Sequence, residues 1–169
     1  TGAETYAYGA LDSIINTGLG DDDLNIDTHI NNDITSDPAV GLSNTLVDLG
    51  AGADSLHLNA NANGSGVLKA YGATNSIINT DDLSSPGGND YISINASANS
   101  NWNSWDNNNA EKSTAIAFDK STLDTGDGND QIHLNANATG AETYAYGALD
   151  SIINTGEGND DLNIDIGVD

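Results

Sequence analysis

Hydrophobic residues in this chain recur in short, regular motifs. Five segments alternate apolar and polar positions: LNID at 24–27, LHLN at 56–59, ISIN at 92–95, IHLN at 132–135 and LNID again at 162–165. Apolar side chains at i and i+2 follow the strand period, because successive residues of an extended chain point to opposite faces. A second apolar pair precedes each segment: Ile14-Ile15, Leu46-Val47, Ile77-Ile78, Thr122-Leu123 and Ile152-Ile153. Further upstream lies a third short segment, marked by Tyr8, Val40, Tyr71, Phe118 and Tyr146, with Phe118 two residues closer to its turn than the others. No helical period runs anywhere. The pattern predicts an all-β chain with three short strands per unit.

Turns separate the second and third segments: GLGDD (18–22), GAGAD (50–54), PGGND (86–90), GDGND (126–130) and GEGND (156–160). The closing aspartates follow one another at 32, 36, 40 and 30 residues. The two longer spacings coincide with insertions near 81–88 (DDLSSPGG) and 99–112 (NSNWNSWDNNNAEK). Without them the unit is about 30 residues, within the range of solenoid repeats. A longer period overlies it. Residues 1–27 and 139–165 differ only at Leu19/Glu157 and Asp21/Asn159, a period of 138 residues. Residues 1–169 therefore read as a single repetitive domain, one super-repeat (1–138) and the start of the next (139–169).

The expected architecture is a parallel β-solenoid of about five coils, three short strands per coil, with the Gly-Asp turns stacked on one edge. Leu24, Leu56, Ile92, Ile132 and Leu162 would form one inward ladder, and Ile26, Leu58, Ile94, Leu134 and Ile164 the next. The column from Tyr8 to Tyr146 would fill another part of the core. The small-residue stretches 59–66, 95–100 and 135–140 would turn corners. A Greek-key sandwich would need hairpin turns, and the chain offers few of the usual two-residue ones.

Charge adds a constraint. Asp and Glu number 26 against 3 Lys and no Arg, for a net charge of −23. Self-repulsion of this size opposes compaction, makes nucleic acid and anionic membranes poor partners, and makes cations natural ones. With no Cys, disulfides and thiolate zinc sites are excluded. No apolar run is long enough to span a membrane and no signal peptide is present, so membrane insertion is not expected. The absence of Met, position 1 included, is what a mature or excised piece of a longer protein would show.

Stacked coils would place Asp22, Asp54, Asp90, Asp130 and Asp160 in a column at about 5 Å spacing. Near each turn a second Asx recurs: Asn16, Asp48, Asn79, Asp124 and Asn154. A divalent cation between coils would relieve the repulsion. Ca²⁺ suits such an edge, because it accepts six to eight oxygen ligands in flexible geometry, whereas Mg²⁺ demands a strict octahedron. All ten residues are candidate ligands.

The pattern G-x-G-[ND]-D-x-[IL]-x-[IL] resembles the nonapeptide calcium repeat of RTX (repeats-in-toxin, haemolysin-type) proteins, G-G-x-G-x-D-x-U-x. The likeness covers the five turns and the strands after them, less than a third of the chain. It implies Ca²⁺ held between successive turns by glycine-loop carbonyls and by Asp22, Asp54, Asp90, Asp130 and Asp160. RTX nonapeptides run consecutively, whereas other residues separate them here. The Asx set would replace ligands of the missing second nonapeptide. The whole is similar to repeat regions of very large secreted bacterial surface proteins, cyanobacterial ones among them, which implies an extracellular location.

Other residues carry less. Trp102 and Trp105 in the polar insertion could stack on sugar rings or fold back over the solenoid flank. His57 and His133 hold the same outward position two coils apart, and with His29 they read as solvated surface residues. The acidic pairs at Asp21-Asp22-Asp23, Asp81-Asp82 and Asp160-Asp161 recur with the repeat, whereas an active site is usually singular, so no enzyme is expected. The expected function is an extracellular, calcium-stabilised structural segment of a surface, matrix or filament-forming protein. Its partners would be Ca²⁺ and other copies of itself, end to end or laterally. The alternative is a polysaccharide-binding or adhesion module. Ice binding would need a regular threonine face, which is absent.

Overall fold

The computed structural model describes residues 6–31, 38–81, 87–101, 112–140 and 142–169. All described elements are strands. Coil 1 holds β1 (Ala7–Leu11), β2 (Ile14–Asn16) and β3 (Asp23–Asn31). Coil 2 holds β4 (Pro38–Ser43), β5 (Leu46–Asp48) and β6 (Ser55–Gly64). Coil 3 holds β7 (Lys69–Thr74), β8 (Ile77–Asn79) and β9 (Tyr91–Ser100). Coil 4 holds β10 (Ser113–Asp119), β11 (Thr122–Asp124) and β12 (Gln131–Thr139). Coil 5 holds β13 (Thr143–Leu149), β14 (Ile152–Asn154) and β15 (Asp161–Val168). Equivalent strands pair in parallel, giving three five-stranded sheets: β1-β4-β7-β10-β13, β2-β5-β8-β11-β14 and β3-β6-β9-β12-β15. The fold is a parallel β-solenoid with three strands per coil.

The register stacks the sequence motifs as ladders. Leu24, Leu56, Ile92, Ile132 and Leu162 align, and so do Ile26, Leu58, Ile94, Leu134 and Ile164. In the three middle coils these side chains are 0–1 % exposed. The first and third sheets face one another across the core, and the short second sheet closes the third side.

Two expectations about the core are corrected. The stretches 59–66, 95–100 and 135–140 are not corners; most of their residues continue the strands of the third sheet, which run 8 to 10 residues. Ala60, Ala62, Ala96, Ala98, Ala136 and Ala138 point inward, and their small size lets the first sheet approach. The tyrosine column does not fill the core. Ile116, not Phe118, aligns with Tyr8, Val40, Tyr71 and Tyr146. That column lies on the outer face of the first sheet, where Tyr8 and Tyr146 remain 39 % and 38 % exposed. Phe118 is fully buried, in line with Leu42 and Ala73.

The slip has a visible cause. A glycine follows the tyrosine position in four coils. A Cβ on Gly72 would come 2.3 Å from Ile94 Cγ2, and one on Gly9 2.1 Å from Ile26 Cγ2. The glycine therefore faces inward, pressed against the third sheet, and leaves the preceding side chain outside. Ala117 takes this place in coil 4, where the third-sheet residue is Leu134, which has no Cγ2.

Corners from the first to the second sheet form a further column. Asp12, Asn44, Asn75, Lys120 and Asp150 all have φ of 47–50°. Asx residues tolerate this left-handed region through local hydrogen bonding; Lys does not share that advantage. The next residue is Ser or Thr each time, and its hydroxyl donates to the carbonyl two residues earlier at 2.7–2.9 Å.

Candidate metal-binding edge

The second sheet ends at the Asx column, and in coils 1, 2, 4 and 5 the Gly-Asp turns begin two residues later. Gly18, Gly50, Gly126 and Gly156 have φ between 71° and 101°, a region that L side chains rarely enter. Stacking tightens the requirement. A Cβ on Gly50 would lie 1.6 Å from the Gly18 carbonyl oxygen, and one on Gly156 1.5 Å from that of Gly126. Close approach of one turn to the next is thus reason enough for Gly50 and Gly156, whereas at Gly18, where an added Cβ would meet nothing within 4 Å, only the positive φ asks for glycine.

The five closing aspartates form one ladder. Asp54 Oδ1 accepts from the Asp22 N–H at 2.8 Å, Asp90 Oδ1 from Asp54 at 2.9 Å, Asp130 Oδ1 from Asp90 at 2.9 Å and Asp160 Oδ1 from Asp130 at 3.1 Å. Each carboxylate therefore ties its coil to the one before. Asp54, Asp90 and Asp130 are buried, at 1 %, 1 % and 0 % exposure. The second oxygen differs along the column. Asp90 Oδ2 accepts a short hydrogen bond from the Thr80 hydroxyl. Oδ2 of Asp22, Asp54 and Asp130 is buried with no hydrogen-bond partner.

Burial shifts these groups. Loss of water pushes the Asp54 and Asp130 carboxyls above the usual range, against the pull of the backbone N–H each accepts and, at Asp130, of the neighbouring Thr125 hydroxyl. Asp90 is pushed up to about 7 by the same desolvation; the bonds from Thr80 and the Asp54 N–H oppose it, and the charges of Asp130 and Asp54 add to it. Such a column calls for a proton or a cation as counter-charge.

The second Asx set forms a different ladder. It alternates Asn16, Asp48, Asn79, Asp124, Asn154 in register. Asn16 Nδ2 donates to Asp48 Oδ2 at 3.1 Å, and Asn154 Nδ2 to Asp124 Oδ1 at 3.0 Å. Amides thus sit between carboxylates, donating hydrogen bonds to them and keeping the charges two coils apart. Asn16, Asp48 and Asn79 also line a groove of about 340 Å³ together with Asp81 and the turn glycines Gly18 and Gly50. The closing aspartates do not line it. The ten candidate ligands therefore make two ladders rather than one converging set, and among the described residues no three acidic or histidine side chains converge as a metal cluster.

Backbone oxygens of the turns are already engaged. The carbonyls of Asp48, Asn79, Asp124 and Asn154 accept from the coil before at 3.0–3.1 Å, and Gly18 O accepts from Ala51 N–H at 3.3 Å. Each keeps a second lone pair for a cation.

Several participants were not singled out from the sequence. Thr80 and Thr125 are fully buried beside the aspartate ladder, and a recurrent Thr directly after the Asx position (Thr17, Thr80, Thr125, Thr155) is the signal that marks them. Asn89, Asn129 and Asn159 stack through side-chain and backbone bonds of 2.8–3.2 Å. Between His57 and His133 lies the Tyr91 ring, with centroids 5.3 and 5.6 Å away. Trp102 and Trp105 fall outside the described residues. No protein family, curated protein or solved structure matches this chain.

Proposed function

We propose that the chain is a calcium-stabilised structural segment of an extracellular surface or matrix protein, with no catalytic role. The carrying observation is the buried carboxylate column with orphaned Oδ2 atoms on Asp22, Asp54 and Asp130. A hard divalent ion would supply each with the partner and positive charge it lacks, and turn carbonyls would complete the oxygen shell. The asparagine–aspartate groove would hold a second, weaker class of ion. Binding to the folded chain alone stabilises it by mass action, so cation supply governs folding. A low-calcium cytosol would keep the acidic chain open for export, and an outside medium would close it.

Thermal melting followed by circular dichroism tests this. Excess chelator should lower the melting temperature sharply or abolish β-signal, and added calcium, but not magnesium, should restore it. Unchanged melting in chelator rejects the reading and leaves the glycine turns as steric corners. The tyrosine rows favour a second reading, polysaccharide binding. Tyr6 and Tyr8 stack with ring centroids 6.3 Å apart, and Tyr144 and Tyr146 do so at 6.4 Å, on the outer face of the first sheet.

A further inference from the structure

The outer face of the first sheet differs from the other two outer faces in its charge. Its central column runs Tyr8, Val40, Tyr71, Ile116, Tyr146, and the column beside it runs Pro38, Lys69, Thr114, Tyr144. Neither column holds a carboxylate, in a chain with 26 Asp and Glu. The third sheet, by contrast, turns Asp23, Asp27, Asp161 and Asp165 outward, and the second sheet Asp48 and Asp124. Five of the six tyrosines stand on the first sheet's face, the fifth being Tyr6, which stacks on Tyr8. All three lysines lie on the same side. Lys69 is in the second column, Lys112 Nζ donates to Tyr144 Oη at 2.6 Å, and Lys120 is at the corner after β10. Lys112 pairs with Glu142 at 3.5 Å and Lys120 with Asp119 at 3.8 Å, whereas Lys69 makes no ion pair among the described residues. Tyr8, Tyr71 and Tyr146 recur at every second coil, about 10 Å apart along the solenoid axis. Val40 and Ile116, between them, are only 2 % and 5 % exposed, so the aliphatic steps lie low and the rings flank them.

We propose that this face binds a neutral, extended polysaccharide of β-1,4-linked pyranoses, lying along the solenoid axis. Successive pyranoses of such a chain are turned over, so the same face of the sugar recurs at every second unit, close to the two-coil repeat of the rings. The apolar face of a pyranose covers a tyrosine ring, and the hydroxyls at its edge reach the phenol groups and the Lys69 ammonium. Stacking on tyrosine costs little ordering, because the side chain has only two torsions. Charge selects against an acidic glycan. A polyanion would bring a carboxylate at every unit against one unpaired ammonium, under the field of a chain at −23. The inference rests on the polysaccharide reading above and is independent of the calcium sites.

Isothermal titration of the full chain with β-1,4-linked glucose oligosaccharides, in one calcium-containing buffer, tests it. A hexasaccharide should bind, and a disaccharide, which reaches a single ring, should bind about tenfold more weakly or less. Tyr71→Ala should weaken the hexasaccharide about tenfold, while Tyr71→Phe, which keeps the ring, should stay close to the parent. Tyr91→Ala removes the one tyrosine on the third sheet and should bind as the parent does. If Tyr71→Ala loses its β-signal, Tyr8→Ala, at an exposed position, makes the same test. Absence of hexasaccharide binding, or binding that the alanine variants of the first-sheet face leave unchanged, overturns the proposal. The β-1,4-linked hexaglucuronate, equal in length and linkage but charged, separates this inference from the reading beneath it. Tyrosine-dependent binding of the hexaglucuronate as tight as that of the neutral chain overturns the neutral ligand while the polysaccharide reading stands. Binding of neither overturns both.

Discussion

Left-handed corners show how single residues carry the fold. Four of the five corner positions hold Asn or Asp, which reach φ near +50° with local support, and the fifth holds Lys120 at 47°. A residue with a long side chain pays a steric penalty there of about 1–2 kcal/mol relative to a right-handed conformation, and Asn less. Its side chain makes a 3.8 Å ion pair with Asp119 while staying 58 % exposed, a contact of small worth. Lys120→Asn is therefore expected to stabilise the protein by about 0.5–1 kcal/mol, read as a higher urea midpoint with an unchanged slope. This corner column was legible in principle, as Asx or Lys followed by Ser or Thr after each first strand. It carries no hydrophobic contrast, and the periodicity that reveals the strands passes over it.

At the scale of the element, the aspartate ladder joins turn to turn and makes stability depend on pH. Asp90 has an ordinary value of 3.8 and rises to about 7 in the folded state; Asp54 and Asp130 move the same way. A carboxyl that binds its proton more tightly when folded favours the fold at low pH. Its contribution is complete below 3.8 and is lost as pH rises through about 7. Metal-free protein should therefore melt higher at pH 5 than at pH 8. Calcium-loaded protein should show the reverse, since protons then compete with the ion. Asp90→Asn keeps an acceptor for the Asp54 N–H and removes the buried charge. It should flatten the metal-free pH dependence and weaken the calcium response, both measured by thermal melts across pH. The strands flanking this ladder were readable because LHLN and ISIN alternate strongly. Their full length was not, because NANAN places alanine inward and asparagine outward with too little contrast to show a face. The tyrosine column was misplaced for a related reason: alternation slips at the inward glycine, and a Tyr-Gly-Ala run does not say which of its residues faces the core.

For the whole molecule, the −23 charge and the stacked carboxylates make distinct demands on the medium. The surface field is long-ranged and yields to any salt, because screening depends on ionic strength alone, with a Debye length near 10 Å at 0.1 M. The orphaned Oδ2 atoms are buried, beyond the reach of diffuse screening, and yield only to a proton or an ion that enters the turn. The two demands should separate in a titration. Sodium chloride should raise the melting temperature gradually and level off as the Debye length shrinks. Calcium should raise it at ionic strengths where sodium does little, and the rise should continue with the logarithm of its concentration, the linkage of a bound ligand. Hydrogen exchange under the same conditions should follow the architecture, since each coil is held only by its neighbours. Coils 2 to 4 should protect most strongly and the outer coils 1 and 5 least, with calcium raising protection first at Ser55, Tyr91 and Gln131. The N–H of each of these donates to the main-chain carbonyl of a closing aspartate in the preceding coil at 2.8–2.9 Å. Protection that rises uniformly with sodium and calcium alike would mean that the chain answers to screening alone, and that the buried carboxylates are held by protons.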